Sequence, residues 1–324
     1  MADAILTFGG SCDASGVVDV GGNNFAAGSD ETNTIRLYAA GGGEAVSSLS
    51  LDGFLKAKWD DDDQKYAECD IEGATRIGDI TLWITSHARN SKGKEKPDRQ
   101  RLFAIRIADE ENGATLVPFG TPYTGLLADL LSAKVLQSWP LHSAAGKKPQ
   151  EEGGLNIEAI CAASDGGLYV GFRNPILDGK ALLAKIENPL DVIGGSGVRA
   201  AIDRGYQLDL GGRGFRDMVR WKDNYLILAG AYNDGRNFAL FHWKGRDEPP
   251  VELSVDLNTT GLSPEGLVVL AADEGKVLVT SDDDSLVFDG FPNNKLSDER
   301  RTFRGGHLTL ENNISMVRGF SLLS

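Results

Sequence analysis

The stretch CDIEGATRIGDITLWITSHARN, Cys69 to Asn90, decides the fold. It opens on Asp70 and Glu72, runs through a short apolar segment to a Gly78-Asp79 turn, and returns along the apolar run TLWITS to His87, Arg89 and Asn90. Glycine and aspartate tolerate the positive φ of a hairpin turn. A continuous apolar return strand is expected where both faces are buried. The same pattern recurs four times, from Cys12, Leu155, Gly214 and Leu262. Each copy starts with a short polar motif (D-A-S-G, D-I-E-G, N-I-E-A, F-R-D-M, S-P-E-G) whose third position is Ser15, Glu72, Glu158, Asp217 or Glu265.

The repeat extends beyond the hairpin. Third strands are readable in TIRLYAA, RLFAIRI, ALLAKIE and FALFHWK, and fourth strands in SSLSL, YQLDL and VELSVDL. Four antiparallel strands per unit, the first pair apolar and the outer pair more polar, predict an all-β chain folded as a β-propeller. A β-sandwich is the rival, but it does not repeat a polar motif at the head of each unit. Five blades are counted. The helical spacing of Leu126, Leu127, Leu130 and Leu131 predicts an insertion near 122–139 in a single domain spanning 1–324, the alternative being a sixth, degenerate blade. AILTFGG near the start has the look of an outer strand, and it is expected to complete the last blade and close the ring.

Composition narrows the function. The formal net charge of -14 in 324 residues disfavours nucleic acid and anionic lipid. No apolar run reaches the roughly 18 residues of a membrane span, so no membrane partner is expected. Cys12, Cys69 and Cys161 are odd in number and lack metal-type spacing. They read as free thiols in a cytoplasmic protein, and no signal peptide is visible.

In a propeller the first strand of each blade lines the central channel. The second strand returns beside its start, so the polar ends of each hairpin share one mouth. Glu72 and Glu158 are the candidate acid–base groups there, with His87 as proton carrier. Arg89, Asn90, Arg173, Asn174, Arg216 and Tyr232 are candidate substrate contacts, because arginine holds carboxylate or phosphate oxygens in a bidentate fork. Four acids on one ring need cations beside them. The sectors around Glu265 and Asp13 lack a local arginine, so Glu265, Asp282, Asp13 and Asp217 are candidate ligands for a hard cation such as Ca²⁺. The competing reading of each acid is structural: a carboxylate at a strand start can accept backbone N–H groups of the next blade. Asp60 to Asp63 reads as a solvated loop. The basic run RNSKGKEKPDRQR, Arg89 to Arg101, reads as an exposed linker or a lid. No nucleotide or organic cofactor is indicated.

Taken in order, CDASGV, DIEGATRIGDITLWITSHARNSKGK with RLFAIRI, NIEAICA…GLYVGFRNP, FRDM and SPEGL resemble the bacterial family catalogued as domain of unknown function 3616. The resemblance runs over nearly the whole chain and implies a β-propeller of unassigned activity. Glu72-Gly73 and Glu265-Gly266 are also similar to the strand starts of calcium-dependent propeller lactonases and phosphotriesterases, and of esterase-like phytase propellers. In those families such a glutamate ligates the channel metal. Ala159, Met218 and Ser15 depart from that pattern. Five-bladed glycosidases also work with carboxylates at the channel mouth. The leading expectation is a metal-assisted hydrolase of an ester, lactone or phosphoester, taking a small anionic or ester-type ligand. The alternative is a non-catalytic propeller module that binds a ligand or a protein partner.

Overall fold

The chain forms a five-bladed β-propeller in a computed structural model that describes residues 5–61, 64–110, 113–195, 197–233, 235–310 and 317–318. Blades 1 to 4 are four-stranded antiparallel sheets in simple meander order, with inner strands Gly16–Gly21, Ile71–Ile77, Asn156–Ala162 and Gly214–Trp221. Blade 5 takes its inner strands from Pro264–Val269 and Lys276–Ser281, its third from Thr302–Leu310, and its fourth from Leu6–Gly9. The N-terminal strand therefore closes the ring, pairing Leu6 with Gly305 and Gly9 with Thr302.

Burial explains the strand compositions. Every residue of Asn156–Ala162 is buried, whereas the outer strand Ser47–Ser50 is mostly exposed. Apolar side chains gather into five clusters, one at each seam between neighbouring blades. At the closing seam, Phe8 stacks on Phe303 with ring centroids 4.9 Å apart and meets Phe25 and Tyr38 edge-on. The outer strand of blade 2, Gly113–Tyr123, precedes a helix at Leu126–Ser132 whose Leu126 and Leu130 join the seam between blades 2 and 3. That helix lies in the connection to blade 3, and the sheets of the described residues make five blades. Near the axis the inner strands run so close that small residues are required. A Cβ on Gly73 would sit 2.9 Å from the Glu158 carbonyl oxygen, and one on Gly266 would sit 2.5 Å from Val17.

The two faces differ. Turns joining first to second strands are tight, as at Gly78-Asp79. Connections on the opposite face are long and include 51–70, 86–101, 124–155 and 282–301. Binding surfaces are usually built on such loops, held by a rigid scaffold. The closing seam yields a prediction. Phe8 is fully buried, so Phe8→Ala should cost about 3–5 kcal/mol, read as a lowered urea midpoint with an unchanged slope.

Candidate functional site

The inner strands begin with a repeated irregularity. In blades 2, 3, 4 and 5 the pairing skips one residue at the head of the hairpin: Ile71 pairs Thr85 and Gly73 pairs Ile84, and the same shift occurs at 157/159, 215/217 and 264/266. The extra residues are Glu72, Glu158, Arg216 and Glu265. A β-bulge of this kind re-aims one side chain out of the ladder, and all four line a single cavity of about 760 Å³ at the channel mouth. Blade 1 has Ser15 at the corresponding place, hydrogen-bonded to Asp13. The bulge corrects the repeat alignment in blade 4, where Arg216 rather than Asp217 takes the position of the glutamates.

Single carboxylate oxygens of Glu72, Glu158 and Glu265 lie within 4.8 Å of one another, close enough to share one ion. Arg216 already bridges two of them. One guanidinium nitrogen is 3.1 Å from Glu158 and another binds Glu265. Glu158 also accepts from Arg173 at 2.7 Å and from the Asn156 amide at 2.7 Å. Glu72 differs: it is 8% exposed, and among the described residues its carboxylate has no hydrogen-bond partner. Burial, then the negative charges of Glu158, Asp70 and Glu265, push its pKa well above the usual carboxylate range. Burial raises Glu265 as well, against the pull of Arg216.

The other expected residues divide. Arg173 and Asn90 line the cavity, although Arg173 spends its remaining donors on the Ala231 and Asn233 carbonyls and Asn90 caps its own loop. Asp282 lines it too, raised to about 6 by burial and by Asp284. Asp217 instead accepts the N–H of Leu267 at 2.7 Å and of Met218 at 2.7 Å, pinning blade 4 to blade 5. Asp13 is buried beneath the mouth, held by Ser15, Ser29 and the Asp30 N–H. Asp217 follows the structural reading of a strand-start carboxylate, whereas Asp13 is held within its own blade. His87 is withdrawn from the cavity, with Nδ1 2.7 Å from the Thr85 carbonyl oxygen. Burial lowers its pKa to about 4, which leaves it neutral, and so no proton carrier, near neutral pH.

Arg89 serves its own loop, binding the Ala145 and Gly93 carbonyls and Glu95. Asn174 binds the Pro149 and Glu151 carbonyls. Tyr232 is half-buried and does not line the cavity, and Asp234 beside it lies outside the described residues, as do Asp62 and Asp63.

The cation beside Asp70 is Arg99, at 2.8 Å, from the basic run read as a linker or lid. The hairpin ladder continues through that loop, with the Thr85 N–H on the Arg101 carbonyl and the His87 N–H on that of Arg99. Extending the strand register past Ser86 would have found it. Eight carboxylates and four guanidinium groups line the cavity, and every one of those arginines has a carboxylate, carbonyl or hydroxyl partner. The buried Nε atoms of Arg99 and Arg216 have no hydrogen-bond partner among the described residues, and Arg236 binds only the Ser263 hydroxyl and the Leu262 carbonyl. Cys12, Cys69 and Cys161 are free and buried, and no helix among the described residues is long and apolar enough to cross a membrane.

Residues 124–262 match the model of the family described as "Protein of unknown function (DUF3616)", a narrower stretch than the near-full-length resemblance read from the motifs. No curated protein matches the chain in sequence. Among solved structures, a GH43 β-1,3-galactosidase with galactodeoxynojirimycin superposes with a TM-score of 0.52 at 9% identity, covering 95% of this chain and 94% of its own. Myxococcus xanthus glutaminyl cyclase gives 0.45 at 11%, covering 96% and 97%. A gluconolactonase from Xanthomonas campestris gives 0.40 at 11%, covering 95% and 82%. At such identities the likeness is one of fold, shared with proteins that are enzymes.

Two predictions follow from the assignments of Asp217 and Glu72. Asp217→Ala strands the buried Leu267 N–H and should cost about 1–3 kcal/mol in a chemical melt, without altering ligand binding at the mouth. Folding raises the Glu72 pKa, so the native state holds that proton more tightly than the unfolded chain. The group's contribution is therefore intact below its ordinary value of 4.5 and is lost as pH rises through the raised value. Glu72→Gln should flatten that decline and make the protein more stable than wild type at mildly alkaline pH, as read from urea melts across the range.

Proposed function

We propose that the channel mouth is the active site of a hydrolase acting on an ester or lactone, with Glu72 as its proton donor. The observation that carries this reading is the contrast between two neighbouring carboxylates. Glu158 is ion-paired with both Arg173 and Arg216, whereas Glu72 is buried, without a partner, and raised in pKa. In the proposed step Glu158 takes a proton from water as the water oxygen bonds to the acyl carbon. Glu72 gives its proton to the leaving alkoxide as the C–O bond breaks, and the proton on Glu158 then restores Glu72.

The sequence pointed to a bound Ca²⁺ as the source of positive charge. Glu72, Glu158 and Glu265 are the residues that would ligate it, and a cation there polarises a carbonyl oxygen. Arg216 fits that duty already: its guanidinium lies between two of the three carboxylates, where a divalent ion would have to displace it or sit against it. The proposal therefore places Arg216 in the role expected of the metal. Because carboxylates outnumber guanidinium groups two to one around the cavity, the preferred substrates are esters and lactones without a negative charge, not phosphoesters.

A panel of aryl esters, lactones and phosphoesters tests the reading. Turnover should appear with esters or lactones, persist in chelator, and fall about 10²–10⁴-fold in kcat in Glu72→Gln. If wild type and Glu72→Gln behave alike on every compound, the mouth is a binding site and the protein a non-catalytic module.

A further inference from the structure

The charges of the cavity are unevenly placed. Three of its arginines pair with the glutamates of blades 3 and 5 and with Asp70, through Arg99–Asp70, Arg173–Glu158 and Arg216–Glu158/Glu265, and the fourth, Arg236, binds the Ser263 hydroxyl and the Leu262 carbonyl. Where blade 5 meets blade 1, no arginine among the described residues is within ion-pair distance of the aspartates that line the cavity. Asp30 and Asp282 come from the same place in their blades, immediately after the second strand, and Asp284 follows Asp282 by two residues. Among the described residues none of these three is in an ion pair. The residue between the last two, Asp283, is turned away and held by Arg304 in a bidentate pair, so the alternation of the chain aims Asp282 and Asp284 at the cavity. On the adjoining blade 2 is Glu72, a carboxylate more than nine-tenths buried, opening on the same cavity without a hydrogen-bond partner. Asp30 feels the negative charge of both Glu72 and Asp282. Carboxyls buried at this density either keep their protons or need a positive group beside them.

We infer that this arc, Asp30, Asp282 and Asp284 together with Glu72, is a subsite for an organic cation, so that the substrate or ligand of the mouth carries an ammonium or similar group. A metal ion fits less well. Ligand oxygens around one ion must lie within a few ångströms of one another, and among the described residues the glutamates at 72, 158 and 265 are the group that does so. The aspartates of the arc are spread more widely, as a larger ligand-borne cation requires. An amine also brings its own hydrogen-bond donors, which suit carboxylates whose remaining oxygens open on the cavity. The inference names the substrate class of the proposed hydrolase and rests on the mouth being its ligand site, but not on catalysis there.

Thermal melts of the full chain with choline, putrescine or Ca²⁺, against NaCl at matched ionic strength, test it. An organic cation that binds only the folded protein must raise the midpoint, and a gain of at least about 2 °C is expected at saturation. The gain should be lost in Asp282→Asn and in the more accessible Asp284→Asn, the second serving if the first is poorly folded. Calorimetric titration should show the same loss of affinity, at least tenfold. The inference is overturned if no amine shifts the midpoint, if Ca²⁺ alone does, or if both variants respond as wild type does. Because the readout is binding, a positive result with no turnover of any ester would sink the hydrolase and leave the cation subsite standing.

Discussion

Five inner strands converge on one axis, and the space there admits little more than a hydrogen or a methyl at the level of Gly73, Ala159 and Gly266. Charged side chains placed at that level would have to be buried between blades. The bulge just ahead of it solves the problem by lifting one residue per blade out of the ladder and over the channel. Once three of those residues are glutamates, their mutual repulsion needs a counter-charge that is itself fixed. Arg216, lifted by the same bulge in blade 4, provides it through bonds to Glu158 and Glu265. The scaffold and the chemistry of the mouth therefore share one backbone device.

The arrangement leaves the carboxylates unequal. Removing a charge from water without a partner costs far more than removing one that is paired and hydrogen-bonded. Glu158, with two arginines and an amide, falls in the second class, and Glu72 in the first. Asymmetry between neighbouring acids is what general acid–base chemistry uses. Here it arises because the guanidinium of Arg216 reaches two glutamates and not the third.

Much of the fold was readable because strand periodicity and turn residues are local signals. Gly78-Asp79, TLWITS and RLFAIRI specify a hairpin and its third strand by themselves, and the five copies of that pattern specify the ring. The resemblance of AILTFGG to an outer strand sufficed to place Leu6–Gly9 in the last blade. The site was readable to the level of its mouth but not of its members. Counting along the repeat set Asp217 beside Glu158 and Glu265, and the bulge moved it by one residue. A one-residue shift turns a side chain to the opposite face, so Asp217 became a pin on the Leu267 N–H and Arg216 became the centre of the site. Likewise Arg99 replaced Arg89 beside Asp70 because the hairpin ladder runs on through a loop whose composition suggests exposure.

The sequence by itself determined the four-stranded repeat, its strand order, the closing strand and the crowding of acids at one mouth, because each depends on residues close together in the chain or on their repetition. The tertiary structure decided which acid is free, which is paired and which serves only to join blades. Those outcomes depend on where a bulge falls and on which guanidinium, from a different blade, arrives within 3 Å or so of a carboxylate, and no spacing along one chain segment encodes that distance.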